Sequence, residues 1–250
     1  MNKTKLDLSE IDTVILAGGL GTRLQPVLKD LPKCLAPING KAFIDILLDH
    51  CIDQGLRRFV LCVGFLKDQI EKHLKKRQNC RIEFSVEKKL LGTAGALKNA
   101  EGYINSEYFL TMNGDSFIDF DVKELIKIRE DYISSILLSN HSNVSNYGTI
   151  KIDNSGFVTS FKEKTGSTLP GYINAGRYVF DKRILHYIPM DIAYSIEYEL
   201  LPELIKKERI STYIIESKCV DIGTPQRLEE ASQFFSNHGM NYVDDENAAN

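Results

Sequence analysis

The chain has 250 residues, of which 43% are hydrophobic and 26% charged, and its formal net charge is −3. These values fit a globular protein with a sizeable core and exclude a disordered one. Charges of both signs are interspersed, so no basic surface favours nucleic acid, and no apolar run is long enough to span a bilayer. The polar N-terminus lacks the apolar run of a signal peptide, so we expect a cytoplasmic protein without nucleic-acid or membrane partners.

Up to about residue 130, apolar strands alternate with segments of helical periodicity. The expected strands are TVILA, RRFVLCVG, RIEFSVE and YFLTMNGD, and the expected helices are AFIDILLDHCIDQGL, KDQIEKHLKKR, TAGALKNAEGYI and DVKELIKIRED. Such alternation predicts parallel βαβ units with helices on both faces of a sheet.

The pattern changes in the second half of the chain. The segments YISSILLSN, YGTIKID, GFVTSFKEK and GYINAGRYVFD predict strands joined by short polar turns, in an antiparallel or mixed arrangement. A helix over SIEYELLPELIKKE, a strand over STYIIES and a helix opened by Pro225 follow. We expect a single α/β domain over residues 1–236 and a flexible tail over 237–250.

The cysteines are odd in number and lack the close spacing of a zinc site, so we expect reduced, structural thiols. Cys34, beside Lys33, is the one candidate for a reactive thiol. The five are Cys34, Cys51, Cys62, Cys80 and Cys219.

A glycine-rich turn directly follows the first strand. Gly18, Gly19 and Gly21 permit positive φ and close approach of a ligand, and their exposed N–H groups form a concave anion site. Arg23 adds a planar fork suited to phosphate oxygens, and Lys33 adds a compact charge. The turn therefore predicts a phosphate-binding loop.

Two common phosphate motifs do not fit this loop. A P-loop requires Lys and then Ser or Thr after its last glycine, where this chain has Arg23 and Leu24. A dinucleotide fingerprint starting at Gly19 would require a third glycine at the position of Leu24.

Seven short motifs carry a resemblance to a known family. LAGGLGTRL, LPKCLAPI, LGTAGAL, NGD, FKEK, NAG and DIGTP occur in the order found in the sugar-1-phosphate nucleotidyltransferases, or nucleotide-sugar pyrophosphorylases. The resemblance extends roughly from Val14 to Pro225. It implies a three-layer αβα, Rossmann-like nucleotidyltransferase fold of glycosyltransferase-A type, with a mixed, mostly parallel central sheet. It also implies a nucleotide-binding part over about 11–140 and a sugar-phosphate-binding part over about 141–225.

The family resemblance further implies a reaction between a nucleoside triphosphate and a sugar 1-phosphate. Arg23 would hold the departing β,γ-phosphates, and Lys33 would stabilise charge at the α-phosphate. Two alternatives stay open, since Glu87 could be a solvated strand-end carboxylate rather than an acceptor for guanine, and Thr93 could be a helix cap. The nucleotide would be bound by Leu16, Ala17, Gly18, Gly19, Gly21, Thr22, Glu87, Gly92, Thr93 and Asn113.

A magnesium site is expected at the end of the YFLTMNGD strand. Asp115 lies where α/β sheets bind ligands, and Mg²⁺ prefers one or two carboxylates together with substrate phosphates. The resemblance makes Asp221 of DIGTP the second ligand. Both aspartates could instead be turn formers.

The resemblance assigns the sugar phosphate to the second half of the chain. Gly148, Glu163, Lys164, Asn174 and Gly176 would bind it. For Gly176, tight sheet packing is an equally good explanation by residue type. Glu197 could contact the sugar or be a carboxylate at a helix start.

The variant PKCLAPINGKAFIDILLD is most similar to the short heptose 1-phosphate guanylyltransferases. This similarity implies GTP and D-glycero-α-D-manno-heptose 1-phosphate as substrates, and GDP-heptose for surface polysaccharide synthesis as product. Mannose-1-phosphate guanylyltransferases and the short uridylyltransferases of sugar phosphates are the alternatives. The segment QPVLKD departs from the usual Pro-x-Thr of the family, and a homo-oligomer stays open.

Two further alternatives belong to other classes. The DFD sequence at Asp119–Asp121 resembles the Asp-x-Asp metal motif of glycosyltransferases, which do not require GGLGTR. A sensor that binds a nucleotide-sugar without turning it over would typically lack a metal aspartate or the loop arginine, and both are present here.

Overall fold

The computed structural model describes residues 6–129, 132–145, 147–162, 166 and 168–238. The strands are β1 (Asp12–Leu16), β2 (Pro37–Ile38), β3 (Lys41–Ala42), β4 (Arg58–Val63), β5 (Arg81–Val86), β6 (Tyr108–Asn113), β7 (Ser116–Phe117), β8 (Ser134–His141), β9 (Thr149–Ile152), β10 (Val158–Lys162), β11 (Gly171–Asp181), β12 (Ile210–Ile215) and β13 (Val220–Asp221). The α-helices are α1 (Gln25–Leu28), α2 (Phe43–Asp53), α3 (Lys67–Leu74), α4 (Gly92–Asn99), α5 (Val122–Arg129), α6 (Leu201–Lys207) and α7 (Pro225–Asn237).

Nine of the described strands form the main sheet. One path runs in the order β10–β9–β11–β6–β1–β4–β5, and β8 joins β11 to β12. The pairs β6–β1, β1–β4 and β4–β5 are parallel, whereas β11 is antiparallel to β6 and to β8. The sheet is therefore mixed, with a parallel half built by the first part of the chain, as predicted.

Both faces of the sheet are buried. Val14 of β1 packs into one apolar cluster and its neighbour Ile15 into the other, because successive side chains of a strand point to opposite faces. Buried residues of α2, α3, α5 and α7 belong to the cluster with Ile15, and those of α4 and α6 to the cluster with Val14. These three layers confirm the predicted fold class.

Helix ends follow local sequence signals. α2 ends at Asp53 and is followed by Gly55, which has a φ of 106°, and Leu56 N–H donates to Cys51 O at 3.1 Å. α7 begins at Pro225 with Thr224 as its N-cap, whose side chain accepts a hydrogen bond from Arg227 N–H.

Two predicted helices are shorter than expected. The TAGALKNAEGYI helix ends at Asn99 and continues as one 3₁₀ turn over Glu101–Tyr103. The SIEYELLPELIKKE helix starts as a π-helical turn over Ile196–Leu200, in which Leu201 N–H donates to Ile196 O, and only then becomes α6. Pro202, the second residue of α6, has no N–H to continue an α-helical ladder from the preceding turn.

The chain order places a crevice beside β1. The chain adds β4 and β5 on one side of β1 and then returns to its other side with β6. In α/β sheets, ligands bind at the carboxyl ends of strands where the order reverses in this way. β1 and β6 end side by side, since Leu16 is the register partner of Asn113.

The thiols of all five cysteines are free. Burial raises the pKa of Cys34 to about 12, so the neighbouring Lys33 does not make this thiol reactive. None of the helices in the described ranges is both long and apolar enough to cross a membrane. Glu163, Lys164 and residues 239–250 of the predicted tail lie outside the described residues.

Candidate active site

A cavity of about 500 Å³ opens at the carboxyl ends of β1 and β6. It contains the whole glycine-rich loop together with residues from the starts of two later helical segments. The described side chains and backbone that line it belong to Leu16, Ala17, Gly18, Gly19, Leu20, Gly21, Thr22, Lys33, Cys34, Glu87, Leu90, Gly92, Thr93, Ala96, Asn113, Gly114 and Asp115. The structure thus brings the residues expected to bind nucleotide to one place.

The three glycines of the loop differ in what an added Cβ atom would meet. A Cβ on Gly18 would lie 2.5 Å from Glu87 Oε1, whereas a Cβ on Gly19 would meet nothing within 4 Å. Gly21 has a φ of 60°, and its Cβ would lie 3.1 Å from Lys33 Cβ. Buried Leu24 fixes the end of the loop, and its N–H donates to Gly21 O at 2.8 Å.

Glu87 lies at the floor of the cavity beneath the loop. Its Oε2 accepts a hydrogen bond from Leu91 N–H at 3.1 Å. Burial raises the pKa of Glu87 above its usual value, and this hydrogen bond acts in the opposite direction. A half-buried carboxylate whose Oε1 lies beside Gly18 is better placed to accept from a ligand than a solvated strand-end residue.

The α4 end of the cavity is held by a distant segment. Thr93 is not the helix cap, because the N-cap position is Leu91 and no side chain caps it. Instead, the Thr93 hydroxyl donates to Glu197 Oε2 at 2.9 Å and accepts from Ile196 N–H at 2.7 Å. Gly92 has a φ of 70°, and a Cβ there would lie 2.8 Å from Tyr194 O.

The two aspartates expected to bind metal lie on adjoining backbone. Asp221 of β13 is the antiparallel register partner of Ser116 in β7, and Ile222 N–H donates to Asp115 O at 3.0 Å. This short two-stranded pairing places Asp221 beside Asp115, although 105 residues lie between them in the chain.

Each aspartate forms an ion pair with a cationic side chain of the protein. Lys33 Nζ lies 2.6 Å from Asp115 Oδ2, and Arg227 Nη1 lies 2.7 Å from Asp221 Oδ2. A Cβ on Gly223 would lie 3.7 Å from both Arg23 Nη2 and Lys33 Nζ. The loop arginine and the lysine therefore converge on the aspartate pair.

The residues fit a divalent ion that is shared with a nucleotide. Within the described ranges, no group of three or more His, Cys, Asp or Glu side chains could hold a metal by itself. Mg²⁺ usually binds through one or two carboxylates, substrate phosphates and water. Asp115 is already paired with the positively charged ammonium group of Lys33. The donor set therefore suits Mg²⁺ with a triphosphate and does not suit a resident metal centre.

The residues expected on the sugar side lie at the neighbouring strand, β11. Asn174 N–H donates to Gly148 O at 3.2 Å, and its side-chain Oδ1 accepts from Gly176 N–H at 2.9 Å. Gly176 has a φ of 66°, and a Cβ there would lie 2.5 Å from Asn113 Nδ2. Gly176 thus lies against Asn113, which lines the cavity, and Asn174 and Gly148 are linked to it by hydrogen bonds.

Glu197 connects the two sides. Besides Thr93, its Oε2 accepts from the Ser195 hydroxyl at 2.9 Å, and Tyr178 OH lies 3.4 Å from its Oε1. Tyr178 in turn accepts from Asn174 Nδ2 at 2.6 Å. Glu197 is therefore part of a polar network that runs from α4 to β11.

Sequence reasoning missed two arginines near the aspartates. Arg227 follows Asp221 by six positions and reaches it from the first turn of α7. Arg177 is completely buried behind the loop that carries Asp115. An arginine in the first turn of a helix gives a weak sequence signal that it could reach a nearby carboxylate. An arginine inside a strand gives no signal that it is buried beside a site, because arginine is almost never fully buried.

The DFD segment does not belong to the cavity. Asp121 accepts from Lys123 N–H at 2.7 Å at the start of α5. The Asp119 side chain is 79% exposed and lines a separate cleft with Lys218 and His238. This placement argues against a metal-binding Asp-x-Asp motif.

Comparison with known proteins gives consistent matches over most of the chain. A family model described as nucleotidyl transferase matches residues 12–238. A D-glycero-alpha-D-manno-heptose 1-phosphate guanylyltransferase from Campylobacter jejuni is 35% identical over 217 residues, which are 86% of this chain and 96% of that protein. The mannose-1-phosphate guanylyltransferase catalytic subunit beta of Drosophila melanogaster is 32% identical over 220 residues, and the match spans 85% of this chain and 59% of that longer protein.

A solved structure agrees with these matches. The crystal structure of HddC from Yersinia pseudotuberculosis superimposes with a TM-score of 0.82 at 35% identity, covering 90% of this chain and 99% of that one. A structure of the same protein complexed with GMP-PN gives a TM-score of 0.81 over the same shares of both chains.

Proposed function

This chain belongs to the nucleotidyl transferase family, and from that premise we propose that it transfers GMP from GTP to D-glycero-α-D-manno-heptose 1-phosphate. The products are GDP-heptose and pyrophosphate. The observation that carries the proposal is the glycine-loop cavity lined by Lys33, with Arg23 converging on the neighbouring aspartates, in a chain that resembles HddC over nearly its whole length.

The guanine base is supported by the floor of the cavity. Glu87 presents a carboxylate oxygen directly beneath Gly18. Such an oxygen accepts from the N1–H and N2–H₂ donors of guanine, whereas uracil lacks this pair of adjacent donors. HddC was crystallised with GMP-PN, a guanine nucleotide, which agrees with this assignment.

The chemistry needs positioning and charge neutralisation. An oxygen of the sugar phosphate attacks the α-phosphorus of GTP, the new phosphorus–oxygen bond forms, and the bond to the β-phosphate oxygen breaks as pyrophosphate leaves. The attacking phosphate is already anionic, so no strong general base is required. Arg23 binds the departing β,γ-phosphates, and Lys33 offsets the negative charge that develops at the α-phosphate.

Enzymes of this family typically use a divalent metal ion. We take this ion to be Mg²⁺, with Asp115 and Asp221 as its protein ligands. When bound, Mg²⁺ supplies positive charge that offsets the repulsion between the two anionic substrates. Asp221 lies in β13 and Asp115 directly precedes its partner strand β7, so this pairing fixes the separation of the two backbones before substrates arrive.

The sugar would bind along the start of β11. In this proposal Gly176, which lies against the cavity residue Asn113, and its neighbours Asn174 and Gly148 would contact the sugar, and the network through Glu197 and Tyr178 would supply polar groups for hydroxyls. Glu163 and Lys164 stay predictions for the same pocket.

A matrix of substrates tests the proposal. The purified chain is incubated with Mg²⁺, each of GTP, ATP, UTP, CTP and dTTP, and each of several sugar 1-phosphates, and pyrophosphate release is measured. We expect the highest kcat/KM for GTP with the heptose 1-phosphate, about tenfold or more above mannose 1-phosphate. Preference for mannose 1-phosphate would identify the function of the Drosophila relative instead, and pyrophosphate release with UTP alone would refute the guanine assignment.

Two variants test the metal assignment in the same assay. Asp115→Asn and Asp221→Asn keep the side-chain volume but remove a charge, so each should lower kcat by about 10²–10³ while the thermal unfolding midpoint changes little. Near-normal turnover of either folded variant would refute the metal assignment. Release of nucleoside diphosphate from a nucleotide-sugar, without pyrophosphate formation from GTP, would indicate a glycosyltransferase.

A further inference from the structure

Arg177 is an unusual residue for the interior of a sheet. Its side chain is 0% exposed, and the hydrogen-bond partners that the described residues give it are all uncharged. Burial lowers the pKa of the guanidinium, and the charge of Asp115 acts in the opposite direction. An arginine keeps its proton even so, which leaves a permanent positive charge inside the protein.

The partners of this guanidinium bracket the loop that carries Asp115. Nη1 donates to Gly176 O at 3.0 Å and to Ser116 Oγ at 3.2 Å, and lies 3.5 Å from Asn113 O. Nη2 donates to Ser116 O at 2.5 Å. Asn113 ends β6 and Ser116 begins β7, so one planar fork spans both ends of the Gly114–Asp115 turn.

The same contacts reach the second aspartate. Ser116 is the register partner of Asp221, and Ile222 N–H donates to Asp115 O at 3.0 Å. Arg177 therefore contacts Ser116, which follows Asp115 in the chain and pairs with Asp221, so one buried side chain is linked through Ser116 to the backbone around both aspartates.

Stability alone is a poor explanation for this charge. Removing a guanidinium from water costs several kcal/mol, and an apolar side chain of similar volume often stabilises a core as well or better. A short hydrophobic residue would leave Asn113 O and Ser116 O without their donor, and the turn would no longer have a fixed position. The rigid fork of arginine satisfies several acceptors in one geometry, which lysine cannot do.

We propose that Arg177 is a positioning residue that holds Asp115 and Asp221 at the separation needed for a metal–nucleotide complex. This inference rests on the proposed function. Arg177 does not contact substrate; it acts through the backbone of the two aspartates.

The test uses Arg177→Met, Arg177→Lys and Val179→Ala in the full chain. Val179 is the matched control, because it is buried in the same strand, two residues away on the same face, and pairs with Leu110 away from the cavity. Each variant is assayed for thermal unfolding, for Mn²⁺ binding by electron paramagnetic resonance with GDP present, and for GDP binding without metal.

We expect Arg177→Met to weaken Mn²⁺ binding by about 10- to 100-fold, as loss of a residue that orients a metal ligand typically does. Binding of GDP without metal should be unchanged, and Arg177→Lys should recover only part of the Mn²⁺ affinity. Val179→Ala should lower the unfolding midpoint and leave Mn²⁺ affinity as in the wild type. If Arg177→Met does not fold, Arg177→Lys carries the same comparison.

Wild-type Mn²⁺ affinity in folded Arg177→Met, or in Arg177→Lys where that variant carries the comparison, would overturn the inference. An equal loss of affinity in Val179→Ala would also overturn it, because general destabilisation would then explain the result. Metal binding is measured without the sugar, so an error in the proposed substrate appears only in the substrate matrix.

Discussion

Gly19→Ala separates the fold of the glycine-rich loop from its contact with a ligand. A Cβ at this position would meet no protein atom within 4 Å, and the φ of Gly19 is not positive. The chain can therefore accept alanine, and the lower entropy of the unfolded state would even stabilise it by about 0.4–1 kcal/mol. The new methyl group lies in the cavity, where the proposed triphosphate approaches the backbone.

The expected cost appears in nucleotide binding. Forcing a methyl group into a close contact typically costs about 1–3 kcal/mol. At about 1.4 kcal/mol per tenfold, the Kd for GTP should rise by about 5- to 150-fold. Calorimetry of GTP binding and the KM for GTP measure this effect, and thermal unfolding measures the stability.

Gly102→Ala is the control for this variant. A Cβ at Gly102 also meets nothing within 4 Å, but Gly102 lies in a 3₁₀ turn outside the cavity. This variant should gain the same small stabilisation from the unfolded state as Gly19→Ala and keep the wild-type GTP affinity. Wild-type GTP affinity in Gly19→Ala would refute the close approach of the nucleotide to the loop, and a lower unfolding midpoint would refute the open space around Gly19.

Three other predictions address the border, the floor and the thiol of the cavity. Gly176→Ala should destabilise the chain by about 2–5 kcal/mol in chemical denaturation, since a left-handed φ costs about 1–2 kcal/mol and the overlap with Asn113 about 1–3 more; an unchanged midpoint would contradict it. Burial raises the pKa of Glu87 above its usual value, so the folded chain binds this proton more tightly than the unfolded chain, and the contribution of Glu87 to stability falls as the pH rises from the usual pKa of a glutamate through the raised one. GTP affinity should weaken as the pH falls through the raised pKa of Glu87, because the charged carboxylate is the acceptor. Glu87→Gln should remove this pH dependence of GTP binding, and an identical pH profile in both proteins would exclude Glu87 from base recognition. Iodoacetamide at mildly alkaline pH should leave Cys34 unmodified in the native chain, because burial raises its pKa to about 12, and rapid alkylation seen by mass spectrometry would disprove this.

The elements that sequence reasoning predicted well are those whose burial is local. β1, β4 and β6 are continuous apolar runs, and buried parallel strands require little else. The glycine-rich loop was found because positive φ and close packing leave a direct mark on residue type. The family resemblance, and not the local sequence, placed Asp221 with Asp115, since a two-residue strand pairing gives no sequence signal.

The residues that were predicted less well depend on partners far away in the chain. Thr93 has the sequence position of a cap, but its hydroxyl binds Ile196 and Glu197, more than 100 positions away. The π-helical turn before α6 depends on a single proline in an otherwise helical pattern. Neither outcome follows from periodicity, because in both cases a tertiary contact or a missing N–H determines the local structure.

β11 places three consecutive residues against three different parts of the site. Between Asn174 and Tyr178, β11 advances four residues while its partner β8 advances only from Leu138 to Ile136. This irregularity includes Gly176, whose left-handed backbone lies against Asn113 at the edge of the cavity. Arg177 and Tyr178 keep a one-to-one register with Met112 and Thr111 of β6, so ordinary strand alternation turns the arginine toward Ser116 and the tyrosine toward the Glu197 network. A slip of β11 against β6 by one residue would therefore exchange the faces of Arg177 and Tyr178 and disrupt both sets of contacts together.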